Sequence, residues 1–274
     1  YSQKSERDGI RLADLDWKEK TADLDAEDRK FIDTYASRLI AMRVDIASKL
    51  WEYRSENILF EGAQGALLDL DSGTYPYVSS GASCSAGAAS GSGIGPRAID
   101  KVYGVFKAYE TRVGNGPMPT EFNNDTESEL CNYVRTTGNE FGVTTGRPRR
   151  CGYLDLVALR YACRVNSIDS LVLTHLDIYD EMESIEACIA YDIGGKIVTD
   201  FPAGIPALNA ARPVLKKFDG WKSDLRSCAS YEKMPANAKA YVEFIEAFCE
   251  TPVGIVSVGA DRNDTYLRIQ PWAK

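Results

Sequence analysis

Histidine and basic charge are scarce in this chain, and their scarcity excludes several classes of function. One histidine, His175, occurs in 274 residues. The net charge is −8 and the isoelectric point is near 4.9. An acidic chain does not suit non-specific binding to nucleic acid or to an anionic membrane. We therefore expect neither nucleic acid nor membrane as a partner, and any anionic ligand must be held by a local basic cluster.

The cysteines lack the spacing of a metal site. There are seven, an odd number, and none forms a Cys-x-x-Cys pair. With a single histidine, the usual Cys/His spacings of zinc sites are absent as well. The composition predicts reduced, mostly buried thiols in a protein of the cytoplasm. The sequence also has no apolar run long enough to span a bilayer.

Hydrophobic periodicity predicts an α/β fold. Helical spacing of apolar residues predicts helices over residues 25–53, 97–110, 152–165 and 235–250. Short apolar runs predict strands over residues 57–62, 170–174 and 253–258, and a hairpin of 186–191 with 196–200 around Gly194-Gly195. Buried strands that alternate with helices favour a sheet with ligands at the carboxyl ends of its strands.

Two loops contain small or basic residues that suit a ligand. The segment 79–96, SSGASCSAGAASGSGIGP, is either a flexible linker or a loop whose small residues let the backbone approach a ligand. The segment TTGRPRR from Thr144 to Arg150 places three arginines within four positions. Arginine pairs with carboxylate or phosphate through two hydrogen bonds, and Pro148 restricts the loop. An anion site is favoured there over a solvated surface loop.

Two shorter motifs follow predicted strands. In EGAQG, Gln64 lies between glycines, and its amide can donate to an oxygen and accept from a ring N–H. In THLD, the carboxylate of Asp177 can accept from N1–H and the 2-amino group of guanine, a pair of donors that adenine lacks. A signalling-type GTPase, suggested by THLD alone, is disfavoured because no G-x-x-x-x-G-K-[ST] motif accompanies it.

Taken in order, these pieces resemble the adenylosuccinate synthetase family. The match includes ILFEGAQGALLDLDSGTYPYV, GSGIGPRAID, KAYETRVGNGPMPTE, GNEFGVTTGRPRRCGYLDLVALR, LTHLDIYD and IVSVGADRNDT. The resemblance implies a mixed central sheet flanked by helices, akin to P-loop NTPases. It also implies a ligase that joins IMP and L-aspartate at the expense of GTP through 6-phosphoryl-IMP, the first committed step of AMP biosynthesis.

The resemblance implies a role for each matching residue. Gln64 would be catalytic and contact IMP beside O6, and Ser79 would hold the IMP phosphate. The segment Val143, Thr144, Thr145, Gly146, Arg147, Pro148 and Arg149 would bind aspartate. Arg147 would also reach the IMP ribose, and Arg149 would lie between aspartate and GTP. His175, Leu176, Asp177, Ser257, Val258 and Gly259 would bind GTP. Arg7 would reach the IMP phosphate of a partner subunit, which implies a homodimer.

Two departures from the family pattern affect the nucleotide site. His175 stands where the family usually carries lysine, and Ser79 stands where it usually has threonine. An imidazole can stack on guanine, but it lacks the long lysine stem and is mostly neutral at pH 7. This predicts weaker GTP binding than in a lysine-bearing relative, and a neutral substitution is the alternative.

The family's Gly-rich phosphate loop, with its catalytic aspartate and lysine, has no counterpart in the 274 residues. Such a loop cradles phosphate and positions Mg²⁺. The expectation is that residues 1–274 form the C-terminal portion of a single synthetase domain, with the Mg²⁺ ligands in its missing N-terminal part. This fragment would by itself be inactive. The alternative is a non-catalytic guanine-nucleotide or IMP-binding protein of the same fold.

Overall fold

A computed structural model describes residues 25–142 and 146–272, which fall into two compact units divided after Glu52. The described part of the first unit contains helix α1, Ala26–Ala41, and helix α2, Ile46–Glu52. Asp25 caps α1 by accepting from the backbone N–H groups of Glu27 and Asp28. The single helix predicted over residues 25–53 is wrong, because Asp45 accepts from the N–H of Ala47 and starts a new helix.

The second unit is built on a mixed sheet with three parallel strands. These are β1, Tyr103–Lys107, β5, Ser170–Thr174, and β9, Val253–Ser257, in the order β1-β5-β9, with β10, Thr265–Leu267, antiparallel at the edge. Lys107 is in register with Thr174, and Leu173 with Val256. The carboxyl ends of all three parallel strands therefore lie on one side of the sheet.

Two further groups of strands complete the β structure. Strand β6, Ser184–Ile193, pairs with β4, Leu154–Asp155, β7, Lys196–Val198, and β8, Arg212–Asp219. Strands β2, Glu110–Arg112, and β3, Arg150–Gly152, form an antiparallel pair. The hairpin around Gly194-Gly195 is confirmed, and both glycines have positive φ, which their missing Cβ allows.

Helices and short turns flank the sheets. The helices are α3, Ala86–Ser92, α4, Ser128–Thr137, α5, Leu156–Asn166, α6, Ile205–Ala210, and α7, Ala236–Cys249. The 3-10 turns are Ala66–Leu68, Pro96–Ala98, Leu176–Tyr179, Leu225–Ser227 and Tyr231–Lys233. The main core combines α5 and α7 with β5, β6 and β9, and it includes Leu156, Leu171 and Ile245. The chain thus has the predicted mixed α/β architecture flanked by helices.

Two further predicted elements are wrong. Residues 97–110 form a 3-10 turn and strand β1 instead of a helix, because the backbone of 103–107 pairs along β5 and Gly104 packs closely against Ile168. Residues 57–62 belong to no strand within the described part of the chain. The helix predicted over 152–165 begins only at Leu156, where Asp155 caps it by accepting from the N–H of Ala158.

Other predictions are confirmed closely. Strand β5 has the predicted bounds, α7 is shorter than predicted by one residue at each end, and β9 is shorter by one residue at its carboxyl end. All seven cysteines are free thiols, and six of them are buried. Among the helices that the structure describes, none has the length and apolar character needed to cross a membrane.

Candidate functional site: a nucleotide-binding edge of the parallel sheet

Two of the predicted nucleotide segments meet where the parallel strands end, next to a lysine that the sequence analysis did not single out. Lys107 ends β1, His175 and Asp177 follow β5, and Ser257 ends β9. Asp177 is half-buried in the first turn of the segment Leu176–Tyr179, and its carboxylate accepts no hydrogen bond from the described residues. In open α/β sheets, ligands bind at the carboxyl ends of the parallel strands. A carboxylate here is placed to accept hydrogen bonds from a base.

The loop after β9 is tightly packed around Gly259. The Ser257 hydroxyl donates to the Gly259 carbonyl at 3.1 Å, and the Val258 N–H donates to the Asp264 carbonyl at 2.9 Å. A Cβ on Gly259 would lie 2.2 Å from Asp264 Oδ2, so a larger residue would force the Asp264 side chain to move. Val258 and Leu176 are fully buried in the core, so each can offer a ligand its backbone only.

His175 is held in an uncommon backbone conformation. Its φ is 59°, in the left-handed region that non-glycine residues seldom adopt. Its ring meets the Tyr109 ring edge-on, with 5.7 Å between centroids. Burial and the positive charge of Lys107 lower the pKa of His175 below its ordinary value of 6.5. The imidazole is therefore neutral at pH 7.

Glu140 is a buried carboxylate that joins this edge to the arginine loop, the predicted anion-binding segment of residues 144–150. Its Oε1 accepts from the Lys107 ammonium at 2.5 Å and from the Tyr109 hydroxyl at 2.6 Å, and its Oε2 accepts from Arg149 at 2.6 Å. Burial would raise the pKa of Glu140, but these hydrogen bonds outweigh it and the pKa lies below its ordinary value. Glu140 is thus ionised at neutral pH.

Backbone hydrogen bonds join the two described ends of the arginine loop. The Arg149 N–H donates to the Glu140 carbonyl at 2.9 Å, and the Gly142 N–H donates to the Arg147 carbonyl at 2.8 Å. Gly146, Arg147 and Pro148 are exposed at its tip. Arg149 Nε is buried and has no hydrogen-bond partner in the described part of the chain. The predicted site residues Val143, Thr144, Thr145 and Arg7 lie outside the described residues.

A second group brings Gln64 and Ser79 together. The Ser83 hydroxyl donates to Gln64 Oε1 at 3.4 Å and lies 3.3 Å from the Ser79 hydroxyl. Gln64 is exposed and has a φ of 65°, so its side chain leaves the loop from a left-handed residue. The Ser79 hydroxyl also hydrogen-bonds the Leu68 carbonyl at 2.9 Å. The segment 79–96 is therefore part of a folded loop and helix α3, and the linker interpretation is wrong.

Two buried charges fix this loop. The Asp69 carboxylate accepts four backbone N–H groups, those of Asp71, Ser72, Ser83 and Cys84. Arg112 on β2 donates to the Thr74 hydroxyl at 3.1 Å and to the Tyr77 carbonyl at 3.0 Å. Arg112 is also in register with Arg150, the neighbour of Arg149. The β2–β3 pair therefore connects the loop of Gln64 and Ser79 to the arginine loop.

Comparison with known proteins decides the family. The family model described as adenylosuccinate synthetase matches residues 16–266. The chain belongs to the adenylosuccinate synthetase family. Enzymes of that name from Gloeothece citriformis and Clostridium perfringens are 43% and 42% identical to it, over 99% and 97% of this chain. The chain spans 65% and 66% of those two relatives, which is less than two thirds of their length.

A solved structure of the family supports the fold. The structure of fully ligated adenylosuccinate synthetase from Plasmodium falciparum matches with a TM-score of 0.82 and 37% identity. The match covers 90% of this chain and 59% of that chain. The α/β architecture described above is therefore the fold of this family.

Sequence reasoning missed the residues that hold the site together. Glu140, Lys107 and Tyr109 lie within motifs that carry the resemblance, GNEFG and KAYETRVG, but no role was assigned to them. Asp69 was likewise not singled out. The sequence signal for Glu140 was its place just before a segment with glycines at 142 and 146, which favour a turn that returns the chain towards residue 140.

Proposed function

We propose that this chain supplies the IMP, aspartate and guanine-nucleotide contacts of an adenylosuccinate synthetase, a GTP-dependent ligase that joins IMP and L-aspartate. The observation that carries the proposal is the convergence of Asp177, Ser257 and the Glu140–Arg149 pair at one edge of the parallel sheet. Membership of the family supports the same reaction. The proposal places the guanine nucleotide at this edge.

Guanine selection is assigned to Asp177. Its carboxylate is half-buried and has no hydrogen bond from the described residues, so it can accept from N1–H and the 2-amino group of guanine. Ser257, Val258 and Gly259 would line the base pocket, with Val258 and Leu176 contributing backbone. The neutral ring of His175 would stack against the base. Adenine offers Asp177 no matching pair of donors.

IMP and aspartate are assigned to the other group and to the loop. Gln64 would contact IMP beside O6, and Ser79 would hold its phosphate. Arg147 would reach the ribose and grip aspartate together with Val143, Thr144, Thr145, Gly146 and Pro148. Arg7 would reach the IMP phosphate of a partner subunit, which makes the proposed assembly a homodimer. The cytoplasm is the proposed location.

The chemistry requires charge stabilisation at O6 of the purine. The oxygen on C6 of the purine is a poor leaving group. Transfer of the γ-phosphoryl group of GTP to this oxygen makes it a good leaving group before the aspartate amine attacks C6. Donors placed where negative charge develops lower the barrier, because they need no reorganisation during the reaction. Gln64 supplies an amide donor at O6, and Arg149 supplies a guanidinium between aspartate and the nucleotide.

The family implies Mg²⁺, but the described residues do not fit it. Within residues 25–142 and 146–272, no three His, Cys, Asp or Glu side chains cluster so that they could hold a metal ion. We assign no Mg²⁺ ligand to these residues and derive no step through the ion. The prediction that its ligands belong to another part of the enzyme stays a prediction.

Equilibrium binding tests the proposed function. IMP and GDP should each bind the purified chain, measured by isothermal titration calorimetry. Mass spectrometry after incubation with IMP, L-aspartate, GTP and Mg²⁺ should detect no adenylosuccinate from this chain alone, because its sequence has no Gly-rich phosphate loop. Failure of both nucleotides to bind would contradict the proposal. Turnover would contradict only the expected inactivity.

A further inference from the structure

The buried carboxylate of Glu140 receives hydrogen bonds from separate parts of the site. Its side chain is 1% exposed, whereas the side chains of Lys107 and Arg149 are 28% and 29% exposed. The carboxylate lies at the inner end of both ion pairs, and the two cations extend from it towards solvent. A buried ionised carboxylate is costly unless it is paired with a positive charge. The pairing that Glu140 requires therefore fixes the positions of the Lys107 ammonium and the Arg149 guanidinium.

The partners of Glu140 come from two elements of the proposed nucleotide site. Lys107 ends β1, and Tyr109 follows it and touches the ring of His175. Arg149 comes from the arginine loop, which residue 140 closes through its backbone as well. One carboxylate therefore fixes the loop to the strand edge. It also uses one terminal nitrogen of Arg149 and leaves Nε without a partner in the described residues.

We propose that Glu140 is a positioning residue that orients the Arg149 guanidinium towards the phosphates of the guanine nucleotide. This inference rests on the proposed function, because it takes Arg149 as a nucleotide ligand. Glu140 touches no substrate and acts through Arg149. Lys107 is held by the same carboxylate and adds a second positive charge at the same edge of the sheet.

A counter-charge role and an orienting role for Glu140 predict opposite changes in nucleotide affinity for the substitution Glu140→Gln. Glu140→Gln keeps the side-chain shape and removes a negative charge beside two cations. If Glu140 served only as a counter-charge, its loss would strengthen binding of an anionic nucleotide. If it orients Arg149, binding weakens, because the amide of glutamine cannot accept from all three donors. We expect GDP to bind Glu140→Gln about tenfold more weakly, as for loss of one charge-assisted hydrogen bond.

A double-mutant cycle tests the route through Arg149. GDP is titrated calorimetrically into the full wild-type chain and into Glu140→Gln, Arg149→Ala and the double variant. If Glu140 acts through Arg149, Glu140→Gln should cause no further loss of GDP affinity in a chain that already carries Arg149→Ala. Additive losses, or tighter GDP binding by Glu140→Gln, would overturn the proposal. The matched control is Glu121→Gln, because Glu121 pairs with the next arginine, Arg150, in a partly exposed ion pair. It should leave GDP affinity unchanged.

A second readout needs no ligand and separates this inference from the proposed function. Nuclear magnetic resonance of the arginine side chains reports how freely the Arg149 guanidinium rotates. We expect hindered rotation in wild type and in Glu121→Gln, and free rotation in Glu140→Gln. Unchanged rotation in Glu140→Gln would overturn the proposal. If wild type fails to bind GDP, the guanine-nucleotide part of the proposed function fails and this signal alone decides whether Glu140 positions Arg149.

Discussion

The Asp69 carboxylate accepts a hydrogen bond of 2.7 Å from the backbone N–H of Ser83, which lies 14 residues further along the chain. Three more backbone N–H groups donate to the same side chain. Donors from Ser72 and Cys84 contribute most to lowering the pKa of Asp69 from 3.8 to about 2. This buried carboxylate therefore holds residue 69 against residues 83 and 84, at the two ends of the segment that contains Ser79.

Asp69→Asn should destabilise the chain by about 2 kcal/mol at pH 7. The lowered pKa of Asp69 means that its ionised carboxylate stabilises the folded chain, and asparagine removes that charge. The amide group would also place a donor against backbone donors. The stabilisation is complete above the unfolded pKa of 3.8 and is lost as pH falls through about 2. Urea unfolding at pH 7 measures the loss, and a carbon-detected titration of Asp69 measures its pKa.

Asp71→Asn is the matched control for that prediction, since Asp71 is exposed in the same loop. It should change the free energy of unfolding by no more than about 0.5 kcal/mol, as for an ordinary surface substitution. Equal destabilisation by the two variants would contradict the role assigned to Asp69.

The single histidine gives a direct test of the sheet edge. A proton titration followed by nuclear magnetic resonance should show one imidazole with a pKa below 6.5, because His175 is half-buried and near Lys107. The unfolded chain then binds the proton more tightly than the folded chain. The free energy of unfolding therefore rises with pH between the folded pKa and about 6.5.

Lys107→Met should raise the pKa of His175, because it removes a nearby positive charge. The comparison needs one further spectrum and no ligand. An unchanged pKa would contradict the influence assigned to the Lys107 charge.

His175→Lys should strengthen binding of GTP, since lysine brings the long stem and the charge that the family usually carries at this position. Calorimetric titration of GTP into both proteins measures the effect, which we expect to be several-fold. His175→Gln is the control, since glutamine restores neither the charge nor the stem length and should bind no better than wild type. Equal affinities for wild type and His175→Lys would refute the prediction and favour a neutral substitution.

Ser79→Ala should weaken binding of IMP about tenfold, as expected when a hydrogen bond to a charged phosphate is lost. Ser79→Thr keeps the hydroxyl and should bind IMP as wild type does. Because the Ser79 hydroxyl also donates to the Leu68 carbonyl, thermal unfolding of both variants separates lost folding from lost binding. An alanine variant with unaltered IMP affinity and stability would remove Ser79 from the site.

The sequence predicted the elements whose pattern is local. Strand β5, helix α7 and the hairpin at Gly194-Gly195 are set by short apolar runs, helical periodicity and glycine turns, and all three are confirmed. Strand β1 was missed because Val102, Val105 and Phe106 also fit a helical period. Only pairing with β5, more than sixty residues away, decides for a strand.

The site was predicted less completely than the fold. The resemblance identified Asp177, Ser257 and Arg149, which the structure places on or beside one sheet edge. It did not identify Glu140 or Asp69, since Lys107 reaches Glu140, and Ser83 reaches Asp69, only in the folded chain. Lys107 and Glu140 are 33 residues apart in sequence. No local pattern shows that such a pair meets.

We propose that the edge formed by β1, β5 and β9 selects guanine through Asp177. Calorimetric titration of GDP and ADP into wild type and Asp177→Asn tests this selection. We expect wild type to bind GDP at least about tenfold more tightly than ADP, and Asp177→Asn to lose this preference because an amide cannot accept both guanine donors. Equal binding of the two nucleotides by wild type, or an unchanged preference in Asp177→Asn, would contradict it.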